Sequence, residues 1–203
     1  MIIISEQLKT DLANGKNIAL DLGCGKSKKE GYYGVDVANV GEIDIIADLE
    51  KPLSELPDGS VSSVFSYHCL EHINNLAQLM HELYRVLMQE GTLEIYVPHF
   101  SNPYHYSDPT HVRSFGLYSM DYFSPISVKG IRKVSGYWPE IPFRVDSVWI
   151  QPLERKWVDR LLFPGMTTII NSSRSWQDRY ERRLCRFFPA ESIYFKMTVM
   201  KEF

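Results

Sequence analysis

Cysteine is scarce in this chain of 203 residues: Cys24, Cys69 and Cys185 lie far apart and form no CxxC pair. That excludes a disulfide framework, argues against a structural zinc site, and favours a reducing compartment, so the cytoplasm is the expected location. Long apolar runs are also missing. Met1-Ile2-Ile3-Ile4 is too short for a secretion signal and lacks a cationic start. No stretch approaches the roughly 20 apolar residues that span a bilayer. Neither sign of charge dominates, the net charge being −3, so the overall balance gives nucleic-acid binding no support. With 44% hydrophobic and 23% charged residues the composition excludes a disordered chain and provides for a core. Internal repeats and low-complexity stretches are absent too. The length suits one domain, 1–203.

The first half alternates strand-like and helix-like segments. Ile18-Ala19-Leu20-Asp21-Leu22 is a short apolar run that ends at glycines, the pattern of a buried parallel strand. Tyr32–Val37, Ile43–Ala47 and Val61–Tyr67 read as further strands. Between Asn75 and Met88 the apolar positions Leu76, Leu79, Met80, Leu83, Val86 and Leu87 recur at helical spacing, which predicts an amphipathic helix. Thr92–Val97 is the next strand, stopped by Pro98. Alternating elements of this kind imply an α/β fold around a parallel sheet. Beyond them, 99–141 reads as a proline- and aromatic-rich insertion, Phe143–Ile150 and Ser192–Met200 as strands, and 154–188 as two helices broken near Pro164-Gly165.

The sharpest local signal is Leu20-Asp21-Leu22-Gly23-Cys24-Gly25 after a strand. Gly23 and Gly25 permit a tight turn and close approach of a ligand. Lys28 stands where a dinucleotide-binding loop needs its third glycine, which disfavours a nicotinamide enzyme. Three further elements follow in order: Gly34-Val35-Asp36-Val37, Ala47-Asp48-Leu49, and Asp58-Gly59-Ser60-Val61 leading to Tyr67-His68-Cys69-Leu70-Glu71-His72. In this combination residues 18–98 resemble the class I S-adenosylmethionine-dependent methyltransferases. The resemblance implies a Rossmann-like, seven-stranded methyltransferase sheet binding S-adenosyl-L-methionine. Asp21, Gly23, Cys24 and Gly25 would shape the methionine side, Asp36 with Val37 would hold the ribose hydroxyls, Asp48 and Leu49 would meet the adenine, and Tyr67 and His68 would lie near sulfur. Only six residues separate Gly25 from Tyr32, so the helix usual in that family must shrink to one turn or a loop. This short form resembles a subgroup found among bacterial surface-polysaccharide enzymes. The cofactor carboxylate is expected on backbone N–H groups of the glycine loop.

Pro98 is followed by a loop with His99, His105, Asp108, His111 and Arg113. Ligands of open α/β sheets bind at the carboxyl ends of strands, so this loop is expected to line an acceptor pocket. Methyl transfer from a sulfonium needs alignment, and a hydroxyl acceptor gains from a base, a role suited to histidine. His105, Asp108, His111 and Arg113 are therefore the catalytic candidates, with a plain Asp108-capped turn as the alternative. His68-x-x-Glu71-His72 matches a zinc-protease string, but it spans a strand-to-helix turn where that pattern requires a helix. It is closer to methyltransferases in which E-x-x-E-H binds a divalent cation, though position 68 is histidine here; no metal site is assigned, and a helix start is the alternative.

Charge is unevenly spread. Residues 1–151 carry 12 basic and 19 acidic groups, whereas 152–190 carry 8 and 4. The basic, aromatic segment 155–188 could meet a membrane surface or a lipid-linked substrate, or simply cover the sheet edge with its arginines outward. The function expected is O-methylation of a small-molecule or carbohydrate-like acceptor, such as a lipid- or nucleotide-linked sugar, with 99–141 and 152–190 forming a substrate-side cap. Two alternatives are a divalent-metal-assisted methyltransferase on RNA or a diol, and a non-catalytic cofactor- or partner-binding module.

Overall fold

The computed structural model describes residues 1–124, 132, 134, 137, 138, 140–153 and 165–201. Its strands are β1 (Ile2–Ile3), β2 (Ile18–Leu22), β3 (Tyr33–Asp36), β4 (Ile45–Ile46), β5 (Val61–Tyr67), β6 (Leu87–Pro98), β7 (Phe143–Pro152) and β8 (Ala190–Val199). They join in one sheet of order β1-β4-β3-β2-β5-β6-β8-β7. Strands β4, β3, β2, β5 and β6 run parallel, and β8 is antiparallel to both β6 and β7. Apart from the two-residue antiparallel edge strand β1, this is the expected seven-stranded arrangement.

The two sheet faces differ in covering. Leu20, Leu22, Val35, Val64, Leu93, Ile95, Val97, Ile193, Phe195 and Met197 point to one side and are buried. Helix α2 (Leu76–Val86) lays Leu79, Met80, Leu83 and Val86 into the same core. Each such side chain contributes about 1.5–3 kcal/mol on burial, so packing rather than helix propensity holds the element. Asn75 caps it by accepting the Gln78 N–H at 3.1 Å. On the opposite face the register aligns Asp21, Phe65, Tyr67, Glu94, Tyr96, Tyr194 and Trp149, covered on the β2 and β3 side by the loop after β2. That loop, 24–32, contains no helix, as its length requires.

Several boundaries depart from expectation. Strand β6 starts at Leu87, where helix α2 ends, because Leu87 pairs with Val61; Glu90 then turns with φ +58° and shifts the register. Strand β1 and helix α1 (Glu6–Ala13) were not signalled by any apolar run. Ser5 caps α1 through the Leu8 N–H, and Asp11 ties it to the Tyr33 hydroxyl at 2.7 Å. In the basic segment, α3 (Met166–Ile170) and α4 (Arg174–Arg179) are short, and α4 runs into a π turn to Leu184. The predicted helix upstream of Gly165 lies outside the described residues. Arg174 points inward rather than outward: it bonds Asp121 at 2.7 Å and the Leu117 carbonyl at 2.9 Å. No helix among the described residues is long and apolar enough to cross a membrane.

Candidate functional site

Every strand of the parallel set delivers a candidate residue to the same carboxyl-end edge. After β2 the chain turns through Gly23 and Gly25, with φ of +67° and +57°. A Cβ on Gly23 would lie 2.6 Å from the Cβ and Sγ of Cys69, so only glycine fits against the β5 turn. The N–H groups of Gly23 and Cys24 donate to the Val35 carbonyl at 2.8 and 3.3 Å, and that of Gly25 donates to Asp36 Oδ2 at 2.9 Å. These donors are thereby committed within the protein. The expectation that they receive the cofactor carboxylate is corrected accordingly.

A cation at this edge is Lys29. Its Nζ sits 4.2 Å from the Phe65 ring centroid and 4.5 Å from that of Tyr32, with Glu94 Oε2 at 3.5 Å. Its backbone N–H donates to Asp21 Oδ2 at 2.7 Å, and burial raises the Asp21 pKa. A cavity of about 240 Å³ is lined by Asp21, Gly23, Cys24, Ser27, Lys28, Lys29, Phe65 and Tyr67. Lys28 is held by Asp44 at 2.7 Å. Lys29 was missed in the sequence because a surface lysine in a polar loop carries no distinguishing signal.

Asp36 ends β3. Its Oδ2 accepts from Gly25 and its Oδ1 from Ala38 at 2.9 Å, which leaves each oxygen a further lone pair. Val37 beside it is exposed. Asp48 closes its own turn by accepting the Glu50 N–H at 3.0 Å and pairs with Lys51 at 3.1 Å. Leu49 is buried in the core.

At the end of β5 His68 adopts φ +52°, a left-handed conformation that is strained for a non-glycine residue. Tyr67 and His68 join Tyr96, Trp149, Gln151, Glu191, Ser192 and Tyr194 around a second cavity of about 360 Å³. Tyr67 lines both cavities. The Tyr96 and Tyr194 rings stand 4.5 Å apart and Tyr67 lies 5.8 Å from Tyr96.

Behind His68 the histidines gather around one carboxylate. His68 Nδ1 is 3.2 Å from Oε1 of the fully buried Glu71, and His111 Nε2 is 4.0 Å from the same oxygen. His105 is buried and bonds Ser114 at 2.9 Å; burial and the neighbouring His111 lower its pKa. Asp108 lies 3.7 Å from His111 and accepts from the Thr110 N–H. Arg113 is placed elsewhere, its Nε and Nη2 donating to the carbonyls of Ile73 and Asn74. It lines a separate cavity of about 450 Å³ with Phe115, Tyr122 and Trp138. His99 is buried against Glu181 at 3.0 Å, a structural pairing.

The sheet order, the glycine turn and the acidic end of β3 coincide with a known architecture. Residues 20–95 match the family model described as a methyltransferase domain. The chain superposes on a methyltransferase from Archaeoglobus fulgidus described as S-adenosylmethionine-dependent, with TM-score 0.51, 18% identity and 95% and 93% of the two chains covered. This is the fold of the class I S-adenosylmethionine-dependent methyltransferases. The YcgJ protein of Bacillus subtilis gives TM-score 0.53 at 15% identity over 97% and 98% of the chains. Haemonchus contortus phosphoethanolamine N-methyltransferase 2, in complex with S-adenosyl-L-methionine, gives 0.51 at 14% identity over 97% of this chain and 52% of its own. No curated protein matches the chain. Residues 20–95 thus match a methyltransferase domain on this fold, and S-adenosyl-L-methionine is the ligand named for the Archaeoglobus and Haemonchus proteins. The donor set suits that ligand: the Lys29 ammonium for its carboxylate, Asp21 for its ammonium, and further Asp36 lone pairs for a diol.

Proposed function

We propose that the protein is an S-adenosylmethionine-dependent methyltransferase that transfers the methyl group to a hydroxyl oxygen of a carbohydrate-like acceptor held in the aromatic cavity between β5, β6, β7 and β8. The observation that carries the reading is that cavity itself, which shares Tyr67 with the Asp21–Lys29 cavity. About 360 Å³ accommodates a sugar-sized ring. Tyr96, Tyr194 and Trp149 offer flat apolar faces, while Gln151, Glu191 and Ser192 supply hydrogen bonds for several hydroxyls. The short loop 24–32 supports a nucleotide- or lipid-linked sugar through the subgroup resemblance. Exposed Leu184 and Phe187 between Arg182, Arg183 and Arg186 favour the lipid-linked form.

S-adenosylmethionine supplies an electrophilic methyl on a sulfonium. Lys29 and Asp21 bind its amino-acid end, Asp36 the ribose, and Asp48 and Leu49 mark the adenine side. His68 takes the acceptor proton at Nε2, because its Nδ1–H donates to Glu71 and so fixes the tautomer. His111 stands behind Glu71, with His105 and Asp108 against His111 in turn. Residues 1–203 act as a single methyltransferase domain.

The test is methyl transfer from labelled S-adenosylmethionine to a panel of nucleotide- and lipid-linked sugars. His68→Ala should lower turnover by about 10²–10⁴-fold, the span of general-base catalysis, while S-adenosylhomocysteine affinity holds. Full turnover in His68→Ala would remove it as the base, and labelling of RNA or protein alone would overturn the acceptor class.

A further inference from the structure

Glu71 poses a problem that the acceptor reading does not solve. Its carboxylate is fully buried, Oε1 faces His68, and Oε2 has no hydrogen-bond partner. An orphaned carboxylate oxygen in a protein interior is costly unless something cationic meets it. Two imidazoles approach the same carboxylate, His111 Nε2 lying 4.0 Å from Oε1. Ligand atoms of Glu71, His72 and His111 all lie within 4.8 Å of one another. A zinc ion with bonds of 2.0–2.1 Å would draw such atoms to about 3.3 Å apart, a contraction that side-chain rotation provides.

The tautomers are set for this. His111 Nδ1 lies 2.9 Å from the His105 carbonyl oxygen and 3.0 Å from His105 Nδ1, and His72 Nδ1 lies 3.0 Å from the Thr110 hydroxyl and 3.3 Å from the Thr110 carbonyl oxygen. A carbonyl only accepts, and the Thr110 hydroxyl gives its own proton to Asp108, so each Nδ1 carries the hydrogen, the lone pair is left on Nε2, and His111 Nε2 lies 4.0 Å from Glu71 Oε1. Histidines that bind metals are oriented in this way by their outer hydrogen bond. The two halves of the cluster, from the β5 turn and from the loop after β6, are joined by the Val112 N–H donating to the Glu71 carbonyl at 2.9 Å.

We infer that Glu71, His72 and His111 bind one divalent transition-metal ion, zinc being the cation that suits two imidazoles and one carboxylate. Such a set leaves a coordination position open, and His68 connects it to the acceptor cavity. Occupancy of the site is independent of the acceptor reading; only its use by an acceptor oxygen rests on that reading.

The test uses the full chain stripped with chelator, titrated with Zn²⁺ by calorimetry and checked by elemental analysis. One ion per chain is expected, with His72→Ala and His111→Ala each weakening binding at least tenfold. Both variants should unfold cooperatively and keep S-adenosylhomocysteine affinity, because neither residue lines the Asp21–Lys29 cavity. Absence of saturable zinc binding in the folded wild type, or undiminished binding in either variant, would overturn the inference. S-adenosylhomocysteine is titrated separately on the same samples, so failure of the cofactor reading is distinguished from failure of the metal site.

Discussion

Replacing Asp36 with alanine perturbs the proposed cofactor site at one defined point. The carboxylate accepts the Gly25 and Ala38 N–H groups, each at 2.9 Å, and keeps a lone pair on each oxygen for the ribose hydroxyls. Both N–H groups are near solvent, so water takes over their bonding and the folded state loses only about 1 kcal/mol. The bonds to the diol disappear on binding. Hydrogen bonds to a charged acceptor are worth about 1.5–3 kcal/mol, which corresponds to roughly 10- to 150-fold weaker affinity. Asp36→Asn keeps one acceptor oxygen and should fall between. The assay is calorimetric titration with S-adenosylhomocysteine alongside thermal unfolding of each variant. An Asp36→Ala protein that melts like wild type and binds within twofold of it would refute the reasoning.

Other consequences follow from single contacts. Gly23→Ala combines a left-handed φ, worth about 1–2 kcal/mol, with overpacking against Cys69 of about 1–3 kcal/mol. At about 2–4 °C per kcal/mol, melting should fall by roughly 4–20 °C, and a drop below 2 °C would contradict the packing. Burial pushes the Cys24 thiol up to about 11 from its ordinary 9.0. At pH 8 its thiolate fraction is thus about 100-fold below that of an unperturbed thiol, and iodoacetamide labelling should be slow, rise tenfold per pH unit, and be blocked by S-adenosylhomocysteine. Rapid labelling at pH 8 would count against that burial. Arg174→Ala strands the buried Asp121 carboxylate, whose pKa burial already raises, and should cost about 3–5 kcal/mol in urea unfolding. A loss under 1 kcal/mol would show that the pair is replaceable.

The parallel strands were legible because their core faces are continuous apolar runs, and α2 because six apolar positions keep helical spacing. Helix α1 was not, since Leu8 and Leu12 alone give no periodic face and its hold comes from Asp11 reaching Tyr33 across the fold. The glycine turn and Asp36 could be read because the local backbone demands those residue types. Committed N–H groups in the turn could not, because their partner, Val35, is fixed only once β2 and β3 pair. The aromatic cavity escaped for the same reason. Tyr96, Tyr194 and Trp149 sit on three strands far apart in the chain and meet only through the β6–β8–β7 register. Of the histidines after Pro98, His105 and His111 cluster and His99 does not, yet it is His68, from the β5 turn, that lines the cavity.

The most direct test of the account is a crystal structure of the protein with S-adenosylhomocysteine. The account predicts its amino-acid end between Asp21 and Lys29, its ribose on Asp36, and its sulfur beside Tyr67, facing the aromatic cavity. A ligand bound elsewhere, or an empty carboxyl-end edge in crystals soaked to saturation, would contradict it.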